Sequence, residues 1–382
     1  MAHVPGPERD PAAEALPADQ IATYDALRRA APLAMGPDGA WAVLRHADVV
    51  RVLGDHETFS NVVSHRMSVP NGMDPPQHTA FREIVDRYYT PERMSAFEPV
   101  IRSIARELVD ALPRRRDIDL MASLAEPFAN HVQCAFMGWP DRLREPLRDW
   151  VRRNQAAIRA QDRRAMSQVA TEFDGYITEQ LEARRAAGAG APDDNTTRLL
   201  HETVDGRPLT DDEIVSIVRN WTVGELGTIA ASVGIIVHHL ATRPESQPLA
   251  RGGADLAAMS DEILRMHAPL LVNRRRTTRE VTLGGRTLPP DERIVVVWAS
   301  ANRDEDVMGD PDQLRLDRDP AQNLLYGRGV HACPGAPLAR MELRVVMEAL
   351  LAATTSVVLG DEDPVPAAYP ASGFSRLTVR LS

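Results

Sequence analysis

The sequence predicts a mainly helical chain with small β-sheets, and three observations carry that prediction. Apolar residues recur at three- and four-residue spacing through most of the chain before residue 270. One such stretch runs from Thr210 to about Leu240, a helix of ~45 Å that would cross a whole domain. Alternating β-like segments bounded by Gly-Gly and Pro-Pro turns are confined to a few short places.

Taken in order, residues 1–17 carry Pro5, Pro7, Pro11 and Pro17 among charges, with no apolar signal region, and read as a loose lead-in. Helices are expected over 18–31 and 46–55, around a β pair that includes Trp41 and Leu44. Further helices are expected over 75–89, 91–112 and 122–138, with Pro75 and Pro91 in first turns, where a missing N–H costs little. Residues 142–160 and 162–187 continue the pattern before a Gly-rich loop at 188–194. Thr210-Asp-Asp-Glu213 is a capping box that starts the long helix. After a helix over 255–267, residues 277–288 and 293–298 read as strands, 302–330 as irregular chain, 336–353 as a last helix, and 356–359 with 377–381 as a β pair. No repeat or linker interrupts the 382 residues, so one domain is expected.

Composition narrows the function. The chain is 43% hydrophobic and 26% charged, which is ordinary for a globular protein. A net charge of −10 argues against nucleic acid or an anionic membrane as the main partner. Cys134 and Cys333 are the only cysteines and lie far apart, so a disulfide framework is not expected and a reducing cytoplasm is the simplest setting. The apolar run 220–237 is interrupted by Gly224, Glu225, Gly227 and Gly234, which suits a core helix better than a membrane span.

The chemistry concentrates around Cys333, in Tyr326-Gly327-Arg328-Gly329-Val330-His331-Ala332-Cys333-Pro334-Gly335. Gly327 and Gly329 let the backbone take positive φ and approach a flat ligand. A cysteine just ahead of a helix N-terminus is favoured as thiolate. Without further Cys or His ligands nearby it makes a poor zinc site but a good single axial ligand to haem iron. The alternative for a lone cysteine is a buried structural thiol.

This loop resembles the haem-binding loop of the cytochrome P450 family, with Tyr326 where phenylalanine is usual, and Ala336-Pro-Leu-Ala-Arg340-Met-Glu342 resembles the helix that follows. Glu262-x-x-Arg265, 71 residues before the cysteine, resembles the family's buried Glu-x-x-Arg pair, with Arg318 as its third member. Asp74-Pro-Pro-Gln-His78-Thr-Ala-Phe-Arg82 resembles a third family segment. The resemblance runs from about residue 40 to the C-terminus. It implies the single-domain cytochrome P450 fold, its long central helix crossing over haem b, with Cys333 as the axial thiolate. His78, Arg82, Arg275 and His331 would then hold the haem propionates, Tyr326, Gly327, Gly335 and Gly224 would lie against the haem, and Glu262, Arg265 and Arg318 would support the loop.

The resemblance also implies a monooxygenase that inserts one atom of O2 into a small or medium organic substrate. Electrons would come from NAD(P)H through ferredoxin reductase and ferredoxin to a monomeric chain, and Arg328, Arg340 and Arg344 would offer the ferredoxin a basic face. A peroxide-driven oxygenase and a haem-bearing binding protein without turnover are the rivals.

One stretch departs from the family pattern. The acid–alcohol pair that relays protons toward the oxygen side falls on Gly227 and Thr228, so the alcohol is kept and the acid is missing. Glu225 lies ~60° from Thr228 around the helix, and three roles stand open for it: a displaced proton relay, a contact to a polar or cationic substrate group, or a structural tie to a neighbouring helix. The segment between Phe59 and Asp74 is also short for the family's substrate lid, which leaves the pocket open on that side or closed by Leu270-Leu271-Val272 and Gly373-Phe374.

Overall fold

A computed structural model of the protein describes residues 20–36, 38–160, 162–367 and 372–382; the lead-in expected over 1–17 lies outside them. The periodic helices appear as Gln20–Ala30, His46–Gly54, Gln77–Asp86, Pro91–Asp110, Glu126–Met137, Arg144–Arg159, Arg163–Ala187, Asp211–Thr242, Leu256–His267 and Ala336–Ala353. Pro91 takes its first-turn place behind Thr90, whose hydroxyl accepts from the Arg93 N–H. Pro75 does not: that helix starts at Gln77. A residue that precedes a proline is sterically kept out of the helical region, and Pro75 precedes Pro76.

The described residues divide into two compact units, one drawn from 20–66, 71–79 and 261–333, the other from 67–70, 80–260 and 334–382. Because each is assembled from separate stretches, no composition shift or linker marks the division.

The first unit is built on a five-stranded sheet in the order Leu33–Met35, Trp41–Val43, Arg293–Val297, Val272–Thr277, Phe59–Ser60. Trp41–Val43 runs parallel to Arg293–Val297, and the remaining pairs are antiparallel. Val43, Val49, Phe59, Ile294, Val296 and Leu324 form its core. Strand Val272–Thr277 was not anticipated before Thr277, because three consecutive arginines hide the alternation. The pleat turns Arg275 and Thr277 inward while Arg274 stays exposed.

Three charges lie at the heart of this unit. Arg265, 1% exposed, donates from Nε to Glu262 Oε2 at 2.8 Å and from Nη2 to Oε1 at 3.0 Å. Its other N–H groups reach the carbonyls of Asn302 and Pro311. Arg318 Nε donates to the same Glu262 Oε1 at 2.8 Å. The long irregular stretch is thereby tied to helix Leu256–His267 by charge-assisted bonds rather than by secondary structure.

In the second unit the helix Asp211–Thr242 begins with the expected capping box, Thr210 and Glu213 exchanging side-chain and backbone bonds. It is long and apolar enough to cross a membrane by length and composition, yet 67% of its most apolar window is buried within the protein, as a core helix requires. Val357–Leu359 pairs with Thr378–Leu381 as expected, and Asp117–Asp119 adds an unforeseen third strand. Its Asp-Ile-Asp sequence carries no β signal; what holds it is Arg380, which donates from Nε to Asp117 Oδ1 at 2.7 Å. Helices Asn195–Leu199 and Ser246–Arg251 were also missed, being too short to show a period.

Replacing Arg265 by alanine should cost about 3–5 kcal/mol, since it strands the buried Glu262 charge. A urea-unfolding midpoint close to that of the parent protein would contradict this.

Candidate functional site

The cysteine loop lies in the first unit and is closed on itself. The Cys333 N–H donates to the Tyr326 carbonyl at 2.8 Å, Ala332 N–H to Gly329 at 3.0 Å, and Gly327 N–H to Leu324 at 2.9 Å. Leu324 N–H is in turn fixed by Asn302 Oδ1 at 2.7 Å, and the Tyr326 hydroxyl donates to Asp261 Oδ1 at 3.2 Å. That hydroxyl is what tyrosine adds where phenylalanine is usual. Gly327 and Gly329 both hold positive φ, +70° and +74°. At Gly329 a Cβ would fall 2.4 Å from the Leu53 carbonyl oxygen, so backbone passes backbone there and only glycine fits. Cys333 is exposed, two residues ahead of Gly335, which caps the helix Ala336–Ala353.

The other cysteine is of a different kind. Cys134 is 1% exposed and burial pushes its thiol up to about 12. It is the buried structural thiol, with no thiolate to offer near neutral pH.

His78 and His331 are brought together, their rings edge to face with centroids 4.2 Å apart. Arg275 is 5% exposed and donates to the carbonyl of Arg274; among the described residues no carboxylate forms an ion pair with it. Burial pulls its pKa down to about 10, with Asp74 opposing weakly, and Asp74 is already bonded by Ser60 and the Asn61 N–H. A guanidinium taken out of water without a carboxylate is costly. It is the residue that an anionic group such as a haem propionate would satisfy, and in this respect the side chains present fit the cofactor. Arg82, in the second unit, donates to Asp86 one turn along its helix at 2.6 Å.

On the long helix, the Thr228 hydroxyl donates back to the Gly224 carbonyl. A Cβ placed on Gly224 or Gly227 would meet nothing within 4 Å, so both glycines border open space. Glu225 is half-buried as a residue but its Oε1 is sealed from solvent, and burial pushes its carboxyl up to about 7. Glu342, on Ala336–Ala353, faces it from a fully buried position. Sequence reading passed Glu342 over as part of a motif. The signal lay in its place, an acid on the otherwise apolar face of Leu338, Met341 and Val345.

The segment between Phe59 and Asp74 is short, as the sequence shows, and within the second unit its Met67–Pro70 stretch is pinned to the long helix. There Ser216 Oγ accepts from Val69 N–H at 2.8 Å, Asn220 donates to the Val69 carbonyl at 2.9 Å, and Arg219 donates to that of Met67 at 3.1 Å. Phe374, on the short strand Phe374–Arg376, packs against the same helix, its ring 4.6 Å from that of His238. Arg344 is not a free basic group, because it donates to Glu98 and Glu348, which also hold Arg102. Arg328 and Arg340 remain exposed.

Comparison with known proteins agrees with this geometry. The family model described as Cytochrome P450 matches residues 256–379. The chain is 33% identical to the erythromycin C-12 hydroxylase of Saccharopolyspora erythraea, with 88% of each chain covered. It is 31% identical to the cyclomarin C epoxidase CymV of Salinispora arenicola, covering 81% of this chain and 82% of that one. The solved structure of the open cytochrome P450 Eryk from S. erythraea superposes with a TM-score of 0.85 at 29% identity, covering 100% of this chain and 98% of that one.

Gly329→Ala combines a positive φ with a backbone clash and should destabilise the protein by about 1–3 kcal/mol, read as a lowered thermal midpoint. A midpoint equal to that of the parent would mean that the loop is not held against Leu53.

Proposed function

This chain belongs to the cytochrome P450 family and is a haem-thiolate monooxygenase, and on that premise we propose which residues carry the activity. Cys333 is the axial thiolate, the assignment that rests on the self-closed loop with its two positive-φ glycines and on the burial of the only other cysteine. When bound, the haem supplies O2 activation and transfer of one oxygen atom, which electron donation from the thiolate favours.

The chain's own residues do the rest. Arg275, His78 and His331 of the first unit hold the propionates, and the family resemblance alone gives Arg82 the same role; Arg275 contributes most, because its charge is buried and no carboxylate among the described residues forms an ion pair with it. Tyr326, Gly327 and Gly335 shape the loop that receives the flat face of the cofactor, and Gly224 leaves its own stretch of the long helix bare of a side chain. The Thr228 hydroxyl, its own hydrogen directed to Gly224, presents lone pairs to an incoming proton on the oxygen side. Glu225 is the acid nearest to it in sequence, and its presence favours dioxygen-driven turnover over the peroxide-driven alternative.

Electrons reach the haem from NAD(P)H through ferredoxin reductase and ferredoxin, with Arg328 and Arg340 as the exposed cations beside the cysteine in sequence. The chain works in the cytoplasm as a monomer. Its substrate is a small or medium, largely apolar organic molecule that is hydroxylated or epoxidised, as the printed activities of the relatives suggest. Met67 and Val223, both exposed and on the segment and helix just described, are its apolar contacts.

The reduced, carbon-monoxide-bound protein should show the red-shifted Soret band of thiolate-ligated haem, and Cys333→Ser should abolish it. A parent protein without that band overturns the assignment. Thr228→Ala should keep the band and substrate binding while lowering product per NAD(P)H consumed, by about 10-fold or more.

A further inference from the structure

Two buried carboxyl groups meet inside the second unit. Glu225 is on the long helix Asp211–Thr242, Glu342 on Ala336–Ala353, and the two helices pack together. Glu342 is 0% exposed, and among the described residues no protein donor reaches either of its oxygens or Glu225 Oε1. The two side chains lie close enough to hydrogen-bond to one another. Carboxylates bring only acceptors to such a contact, so it is attractive only if one of them is protonated. Like charges at this separation, out of water, cannot both persist. Apart from burial, each acts only on the other: no arginine, lysine, histidine or further acid among the described residues, from any packed element, contributes to either group.

We propose that Glu225 and Glu342 act as one coupled acid that keeps a proton between them at all times, and that the further proton Glu225 takes up and gives away serves the Thr228 hydroxyl in place of the acid missing at Gly227. The proposal rests on the monooxygenase reading and deepens it. Residues three apart share a helix face, which puts the Glu225 carboxyl on the Thr228 side of the long helix. Glu225 passes a proton toward Thr228 and carries the one negative charge of the pair, bonded by the proton that stays with Glu342, until solvent returns a proton to it. Burial holds the Glu225 carboxyl at about 7, where a group is half protonated at neutral pH and serves best as a proton donor. Glu342, raised well above the ordinary range by burial and by Glu225, keeps the proton from being lost outright.

Two readouts on the holoenzyme test this, in the parent protein, Glu225→Gln and Glu342→Gln. The first is free of catalysis. A carboxyl harder to ionise in the fold than in the unfolded chain stabilises at low pH, and that contribution is lost as pH rises through about 7. The parent should therefore lose stability to urea as pH rises from the ordinary carboxyl range to about 7, with a protonated-carboxyl infrared band fading as pH passes through about 7. Either single variant should flatten the slope, and the double variant should lack the band. The second readout is coupling: Glu225→Gln should bind substrate as the parent does but release most of its reducing equivalents as hydrogen peroxide. A band and slope unchanged in the double variant overturn the shared proton, and unchanged coupling in Glu225→Gln overturns its use. Should Glu225→Gln not fold, Glu342→Gln must give the same two results or the proposal fails. A normal carbon-monoxide spectrum in these variants keeps any such failure apart from failure of the haem-thiolate reading.

Discussion

A cysteine that must hold a metal in one orientation, from a stretch that is neither helix nor strand, needs every neighbouring backbone group satisfied by something rigid. In this protein that need is met by turns inside the loop, Cys333 N–H to Tyr326 and Ala332 N–H to Gly329, and by an external frame. Asn302 serves in both. Its carbonyl accepts from the buried Arg265 while its side chain accepts from the Leu324 N–H just ahead of the loop. The Glu262–Arg265–Arg318 cluster thus reaches the cysteine through one asparagine. Such a cluster is costly to bury and costly to break, which makes it a poor source of net stability and a good source of a single geometry.

The same low-dielectric logic runs through the second unit with the opposite sign. Where three charges of mixed sign lock a loop, two acids of like sign on facing helices create a place that needs a proton. Cys134 and His239 show the ordinary outcome of burial: the thiol is driven to about 12 and the imidazole to about 4, and both stay neutral. Arg275 is the exception among the buried cations of the described residues. With its pKa pulled to about 10 it keeps its charge without a carboxylate partner, as a residue set aside for an anionic ligand would.

Much of this was legible in the sequence. Helices long enough to show a period, the capping box at Thr210, and the terminal β pair follow from local chemistry that acts within a few residues. The Glu262–Arg265 contact needed only three-residue spacing, and the loop's glycines announce positive φ. Short elements were not legible. Asn195–Leu199 and Ser246–Arg251 span too few turns for a pattern, and strands Asp117–Asp119 and Val272–Thr277 take their conformation from partners far along the chain.

By itself, then, the sequence determined the cysteine, the positive-φ turns ahead of it, the long helix and the absence of an acid at Gly227, because each is a matter of residue type and close spacing. Only the tertiary structure decided which arginine of the three is buried, that Arg344 is spent on Glu98 and Glu348, that Met67–Pro70 is pinned to the long helix, and that Glu225 faces Glu342. Those outcomes depend on burial and on which charges meet across helices more than a hundred residues apart in the chain. A carboxylate's environment, unlike its identity, is written in its neighbours in space.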